Sequence, residues 1–151
     1  MQNLIISPMK IALEQAKLAF GQDEVPVGAV VTIGNNIIAV AKNEMRDKKN
    51  LLAHAEILVI EKAMKILKTD RLKECNLFVT LEPCTMCAAA ISHAHIKRLY
   101  YGAQNIKSGA IENGVRFFSQ PSCHHKIEIY PSILEKQCSK LLSTFFKLKR
   151  L

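Results

Sequence analysis

The chain has 151 residues, 49% of them hydrophobic and 23% charged, with few glycines and prolines. That is enough to bury one core without crosslinks, and it excludes collagen-like and disordered classes. Lys and Arg outnumber Asp and Glu by 21 to 13, a formal net charge of +8, which suggests an anionic partner such as nucleic acid or simply a soluble basic surface.

In chain order, Ser7 and Pro8 look like an N-cap and first helical residue, followed by Met9, Ala12, Leu13, Ala16, Ala19 and Phe20 at helical spacing up to Gly21. Val27 to Ile33 and Ile37 to Val40 are β-rich runs around Gly34-Asn35-Asn36, a hairpin pattern. A polar loop, Asn43 to Asn50, precedes a helix over 53–67 with apolar residues at 57, 60, 64 and 67. Asn76 to Leu81 reads as a buried strand and 83–94 as a helix built of small residues. Arg98 to Tyr101 is a further strand, 103–122 is irregular, and Ile127 to Tyr130 is a last short strand. Ser132-Ile133-Leu134-Glu135 has the capping-box pattern for a final helix, with Leu134, Cys138, Leu141, Leu142, Phe145 and Leu148 as its stripe. The alternation predicts one α/β domain over 1–151, a sheet with helices on both faces and two right-handed crossovers through 53–67 and 83–94. The longest apolar runs fall far short of the ~20 residues a membrane span needs. The start, Met1 to Lys10, lacks the pattern of a signal peptide.

Two motifs stand out: His54-Ala55-Glu56 at one helix start and Pro83-Cys84-Thr85-Met86-Cys87 at another. Both helices follow β elements, so their N-termini can meet at one sheet edge, where open α/β folds build sites. Cys84 and Cys87 share one helical face, and the positive end of the helix favours their thiolates. Pro83 suits a helix start because its missing N–H has no intrahelical partner there. With His54 they make three zinc ligands and leave a fourth position open, the catalytic pattern. Glu56 need not be a ligand and can handle protons beside the metal, as hydrolysis at an electrophilic carbon requires. A redox pair or half of a structural zinc site would show the same Cys-x-x-Cys. A fourth ligand could come from Cys75, His93, His95, Cys123, His124 or His125, with Cys123-His124-His125 the one group that spacing leaves open.

With these motifs, Glu24-Val25-Pro26-Val27-Gly28-Ala29-Val30, Thr80-Leu81-Glu82-Pro83, Tyr101-Gly102-Ala103 and the closing Phe145-Phe146-Lys147-Leu148-Lys149-Arg150, the chain resembles the TadA-type tRNA adenosine deaminases of the zinc-dependent cytidine deaminase superfamily along nearly its whole length. The resemblance implies a three-layer α/β/α cytidine-deaminase-like fold with a central mixed five-stranded sheet. It implies one zinc per subunit on His54, Cys84 and Cys87, with Glu56 moving protons during hydrolysis of adenosine to inosine. The implied substrate is the wobble adenosine of an arginine tRNA, splayed out of the anticodon loop. Asn43 would hydrogen-bond the base, Val27 and Leu81 would wall the pocket, and the Ala55 N–H would contact the purine. Lys107 and Ser108 would meet the anticodon backbone, and Phe146, Lys149 and Arg150 would touch RNA from the last helix, with Phe145 turned to the core. A cytoplasmic homodimer is also implied.

Two departures stand against the family pattern. Asn50-Leu51-Leu52 replaces Asp-Pro-Thr before the Ala-His pair, and Asn105 replaces an Asp whose carboxylate can accept from a ribose 2′-OH. The second predicts weaker discrimination of RNA from DNA. The rival readings are a superfamily deaminase acting on free guanine, cytidine or deoxycytidylate, and a non-enzymatic zinc module that binds RNA.

Overall fold

The computed structural model describes residues 2–150. Helix α1 (Gln2–Gly21) leads into the hairpin β1 (Gly28–Ile33) and β2 (Asn36–Lys42), then α2 (Ala55–Leu67), β3 (Asn76–Leu81), α3 (Thr85–His93) and β4 (Arg98–Ala103). A 3-10 turn over Phe117–Ser119, β5 (Glu128–Tyr130) and α4 (Glu135–Lys149) complete the chain. The five strands lie in the order β2-β1-β3-β4-β5. β1 is antiparallel to both β2 and β3, while β3, β4 and β5 are parallel. This is the mixed five-stranded sheet that the sequence implies.

Strand alternation sorts the core onto two faces. Val30, Phe78 and Tyr100 face α1 through Met9 and Ala12, with Phe78 and Tyr100 stacked 4.4 Å apart. Val31, Leu77, Val79 and Leu99 pack with Val59 and Ala63 of α2 and Ala88 and Ile91 of α3. Two glycines let the first layer approach. A Cβ at Gly28 would collide with the Ala12 carbonyl of α1, and one at Gly102 would collide with Cys138 of α4. Phe145 of α4 packs edge-on to Phe20 of α1 at 5.6 Å, which joins those two helices.

Three local expectations are corrected. The backbone is helical from Gln2, so Pro8 lies inside α1 rather than at its start. Pro83 precedes the cap of α3, and Cys84 itself occupies the N-cap with an extended backbone. The capping box of Ser132 does not form. Ser132 and Leu134 both have left-handed φ, at 66° and 54°, and Leu134 fills the N-cap position of α4. Leu134 packs against both apolar clusters, so burial of its side chain decides the geometry that a polar cap would otherwise set. Among the described residues no helix is long and apolar enough to cross a membrane.

Candidate active site

The strand pairing brings four chain segments to one edge of the sheet. Gly28 pairs with Lys42 at the end of β2, and its N–H donates to Thr80 Oγ1 near the end of β3 at 3.1 Å. Leu81 pairs with Ala103 at the end of β4. α2 and α3 both begin at this edge, so their positive N-termini point into one space.

His54 is the N-cap of α2 and Cys84 the N-cap of α3, while Cys87 lies in the first turn of α3. His54 Nδ1 is 3.7 Å from Cys84 Sγ and 3.4 Å from Cys87 Sγ. These ligand atoms all lie within 4.8 Å of one another and form the one such His/Cys/Asp/Glu group among the described residues. Tetrahedral zinc with sulfur and nitrogen ligands places such atoms about 3.6 Å apart, so the three side chains fit the ion. Their protonation fits as well. Hydrogen bonding from the Cys87 thiol pulls Cys84 down to about 4, although burial opposes it, while Cys87 is pushed well above the ordinary thiol range by Cys84 and by burial. The hydrogen bond with Cys84 holds His54 above its ordinary value. The metal-free pair thus retains a proton that a cation would replace.

Glu56, on the first turn of α2, is buried, and loss of water around its carboxyl raises it to about 7. A carboxyl poised near neutrality can both give and take protons. A cavity of about 580 Å³ opens above it. The cavity brings together Val27, Asn43, His54, Glu56, Leu81, Cys84, Asn105, Lys107, Ser108 and Phe146, all of them expected from the sequence. Val25, Met45, Gln104, Ile106 and Leu142 also line it, although the sequence assigns none of them to a site.

Several expectations change in detail. The Ala55 N–H, expected on the purine, donates to Asn43 Oδ1 at 2.8 Å. Asn43 Nδ2 donates to the Val25 carbonyl at 3.2 Å, which leaves one amide hydrogen for a ligand. Asn105 Oδ1 accepts from the Ser108 N–H at 3.0 Å and so caps a turn, with its second lone pair still available. Lys149 and Arg150 lie outside the cavity lining. Lys149 pairs with Asp23, which also holds Arg46. Phe145 is buried and Phe146 is 43% exposed, as the helical stripe requires. Leu51 and Leu52 are exposed, at 83% and 59%. Cys123 lies at the far end of α3, with Sγ 3.6 Å from Ser92 Oγ, so the Cys123-His124-His125 group supplies no fourth ligand.

Sequence reasoning passed over two buried glutamates. Glu24 accepts from the Arg46 and Asp47 N–H groups at 3.1 and 2.8 Å and so shapes the loop after β2. Glu82 does the same, with more partners, for the loop after β4. Their signal is an acidic residue embedded among buried neighbours, two positions before Pro26 for Glu24 and immediately before Pro83 for Glu82.

The profile of the MafB19-like deaminase family matches residues 6–150. The tRNA-specific adenosine deaminase of Agrobacterium fabrum (strain C58 / ATCC 33970) is 52% identical over 143 residues, covering 95% of this chain and 94% of the relative. This chain belongs to the tRNA-specific adenosine deaminases. The family's enzyme from Bacillus subtilis (strain 168) is 40% identical over 139 residues, covering 92% of this chain and 86% of its own. A solved structure from work on A-to-I editing by tRNA:A34 deaminases superposes with a TM-score of 0.88 at 51% identity, covering 90% of this chain and 99% of that one. A guanine deaminase from Nitrosomonas europaea superposes at a TM-score of 0.81 with 22% identity and shares the fold.

Proposed function

We propose that this deaminase converts adenosine to inosine at the wobble position of a tRNA anticodon, an arginine tRNA being the expected substrate. The observation that carries the reading is a buried Glu56, raised to about 7, beside a His/Cys/Cys cluster at the floor of a cavity. High identity to tRNA-specific adenosine deaminases over most of the chain supports the substrate.

His54, Cys84 and Cys87 would hold one zinc ion per subunit. Zinc supplies Lewis acidity that makes water a nucleophile near neutral pH. Glu56 would accept a proton from an attacking water and deliver it to adenine N1 as the water oxygen bonds to C6. It would then move the proton of the new C6 hydroxyl to the amine, whose bond to C6 breaks as ammonia leaves. The free hydrogen of Asn43 Nδ2 orients the base, and Val27 and Leu81 pack against its faces. The base reaches this depth only when flipped out of its loop. Lys107, Ser108 and Phe146 at the rim then meet the neighbouring nucleotides, with Lys149 and Arg150 further out on α4.

The test is to incubate the purified protein with unmodified anticodon stem-loops and score inosine by sequencing. Conversion at the wobble adenosine is expected, with none by Glu56→Ala. Deamination of free guanine or cytidine in place of the stem-loop would favour the free-base reading. Deleting 145–151 would confuse this comparison because Phe145 packs in the core, so Phe146→Ala, Lys149→Ala and Arg150→Ala are the appropriate probes. The same reading includes a homodimer acting in the cytoplasm. Light scattering of the purified protein tests the dimer, and a monomer at working concentration would remove it.

A further inference from the structure

The loop between β4 and the 3-10 turn carries Ile106, Lys107 and Ser108 on the cavity rim, and all three side chains are exposed. Exposed segments of this kind are ordinarily the mobile part of a fold. This one is gathered onto a single carboxylate. Glu82 Oε1 accepts from the Asn105 N–H at 3.0 Å and from Asn113 Nδ2 at 2.6 Å. Glu82 Oε2 accepts from the N–H groups of Ile111, Glu112 and Asn113, each at 3.0 Å. The side chain is 1% exposed, so water cannot replace these partners.

The same loop is tied to the start of α3. The Ala110 N–H donates to the Pro83 carbonyl at 2.9 Å, and Gly109 bridges to Cys84. Space at the junction is tight, since a Cβ on Gly109 would stand 2.6 Å from the Glu82 carboxyl carbon. The rim residues and the metal-ligating cysteine are therefore held at a fixed offset, with Glu82 between them in space and immediately before Pro83-Cys84 in sequence.

We propose that Glu82 is a positioning residue: by binding both ends of the 105–113 loop it holds Ile106, Lys107 and Ser108 where RNA must pass, and it governs substrate affinity more than the chemical step. This rests on the proposed tRNA activity. It also makes a sign prediction that separates it from plain electrostatics. Removing a negative charge beside an RNA site should tighten binding if charge alone mattered. If Glu82 acts by position, binding weakens. In a Glu82→Gln variant a donor NH₂ group takes the place of one carboxylate oxygen and faces N–H groups whichever way the amide turns.

Steady-state kinetics on an anticodon stem-loop, with zinc content measured alongside, tests this. Glu82→Gln should raise KM by about tenfold while kcat falls by less than about threefold. One zinc per chain should remain. Asn113→Ala, which removes the loop's side-chain partner of Glu82, should shift KM in the same direction by less. Lys107→Ala should cost less in the Glu82→Gln background than in the wild type, because a loop already displaced no longer presents Lys107. An unchanged or lowered KM in Glu82→Gln would overturn the proposal, as would full additivity with Lys107→Ala. Should Glu82→Gln fail to fold, an unchanged KM in Asn113→Ala would overturn it alone. A wild-type protein that leaves the stem-loop adenosine untouched would instead remove the functional reading on which the proposal rests.

Discussion

Helix α3 has cysteine and histidine near both of its ends. At its N-terminus Cys84 and Cys87 meet His54, their ligand atoms within 4.8 Å of one another. Near its C-terminus lie Ser92, His93, His95, Cys123 and His125, with the His95 and His125 rings 5.1 Å apart. The second group has similar atoms in similar numbers, yet its Cys123 and His125 are already engaged. His125 Nε2 bonds the Ile96 carbonyl at 2.6 Å, and Cys123 Sγ sits by Ser92 Oγ and the His125 carbonyl. Burial and the charges of Arg71, His125, Lys73 and His93 keep His95 below its ordinary value. At the first end, by contrast, a helix N-terminus favours thiolates, and two N-cap positions aim ligands inward before any ion arrives. Residue type nominates a metal site, and placement on the helix decides it.

The largest effects should separate the two ends. Cys84→Ala or His54→Ala should lose the zinc and lower stem-loop deamination by about 10³-fold or more. Cys123→Ala and His125→Ala should keep the metal and stay within about twofold of wild-type activity. Loss of zinc from Cys123→Ala would break the comparison. Glu56→Ala sharpens it from another side, since it should retain zinc yet lose about 10²–10⁴ in rate. Elemental analysis and single-turnover inosine formation measure both quantities. A Glu56→Ala protein that still makes inosine at the wild-type rate would overturn the mechanism.

Metal removal gives a chemical contrast. In chelated protein Cys84, drawn down to about 4, is a thiolate at neutral pH and partly exposed, so iodoacetamide should label it before the buried cysteines. Cys138 is buried and pushed up to about 12, and Cys75 is buried and also raised, so both should react only on unfolding. Zinc should protect Cys84. Peptide mapping by mass spectrometry reads the order, and equal labelling of Cys84 and Cys138 in folded protein would contradict the assigned geometry.

The meeting of His54, Cys84 and Cys87 was legible from sequence because its determinants are local. His-x-Glu and Cys-x-x-Cys each lie within one helical turn, and the strands that precede them are short and strongly apolar. Both helix layers follow from the same alternation, whereas the strand order β2-β1-β3-β4-β5 is set by pairing between distant segments. What stayed hidden depends on partners far along the chain. Glu82 binds N–H groups of the 105–113 loop and Glu24 binds those of the loop after β2, partners that the residues around each glutamate do not name. Likewise the Ala55 N–H donates to Asn43 Oδ1 and the Ser108 N–H to Asn105 Oδ1, both across loops rather than within one helical turn. The Ser132 capping box failed for a related reason, since Leu134 has apolar neighbours on several elements and its burial overrides a preference set by its neighbours in sequence.

The smallest effect belongs to the quiet end of α3. The 2.6 Å bond from His125 to the Ile96 carbonyl holds the segment before β5 against the turn that enters β4. His125 is only partly buried, so water can reach the carbonyl once the ring is gone. His125→Ala should therefore cost about 1 kcal/mol, the net value of an ordinary hydrogen bond, and not the larger penalty of an orphaned buried acceptor. Urea denaturation of zinc-loaded protein measures it. The midpoint should fall with the slope unchanged, because the unfolded surface is nearly the same. A loss of several kcal/mol together with zinc release would mean that the two ends of α3 are one cooperative metal unit, since the ligands at the N-terminus would then depend on a contact at the other end of the helix.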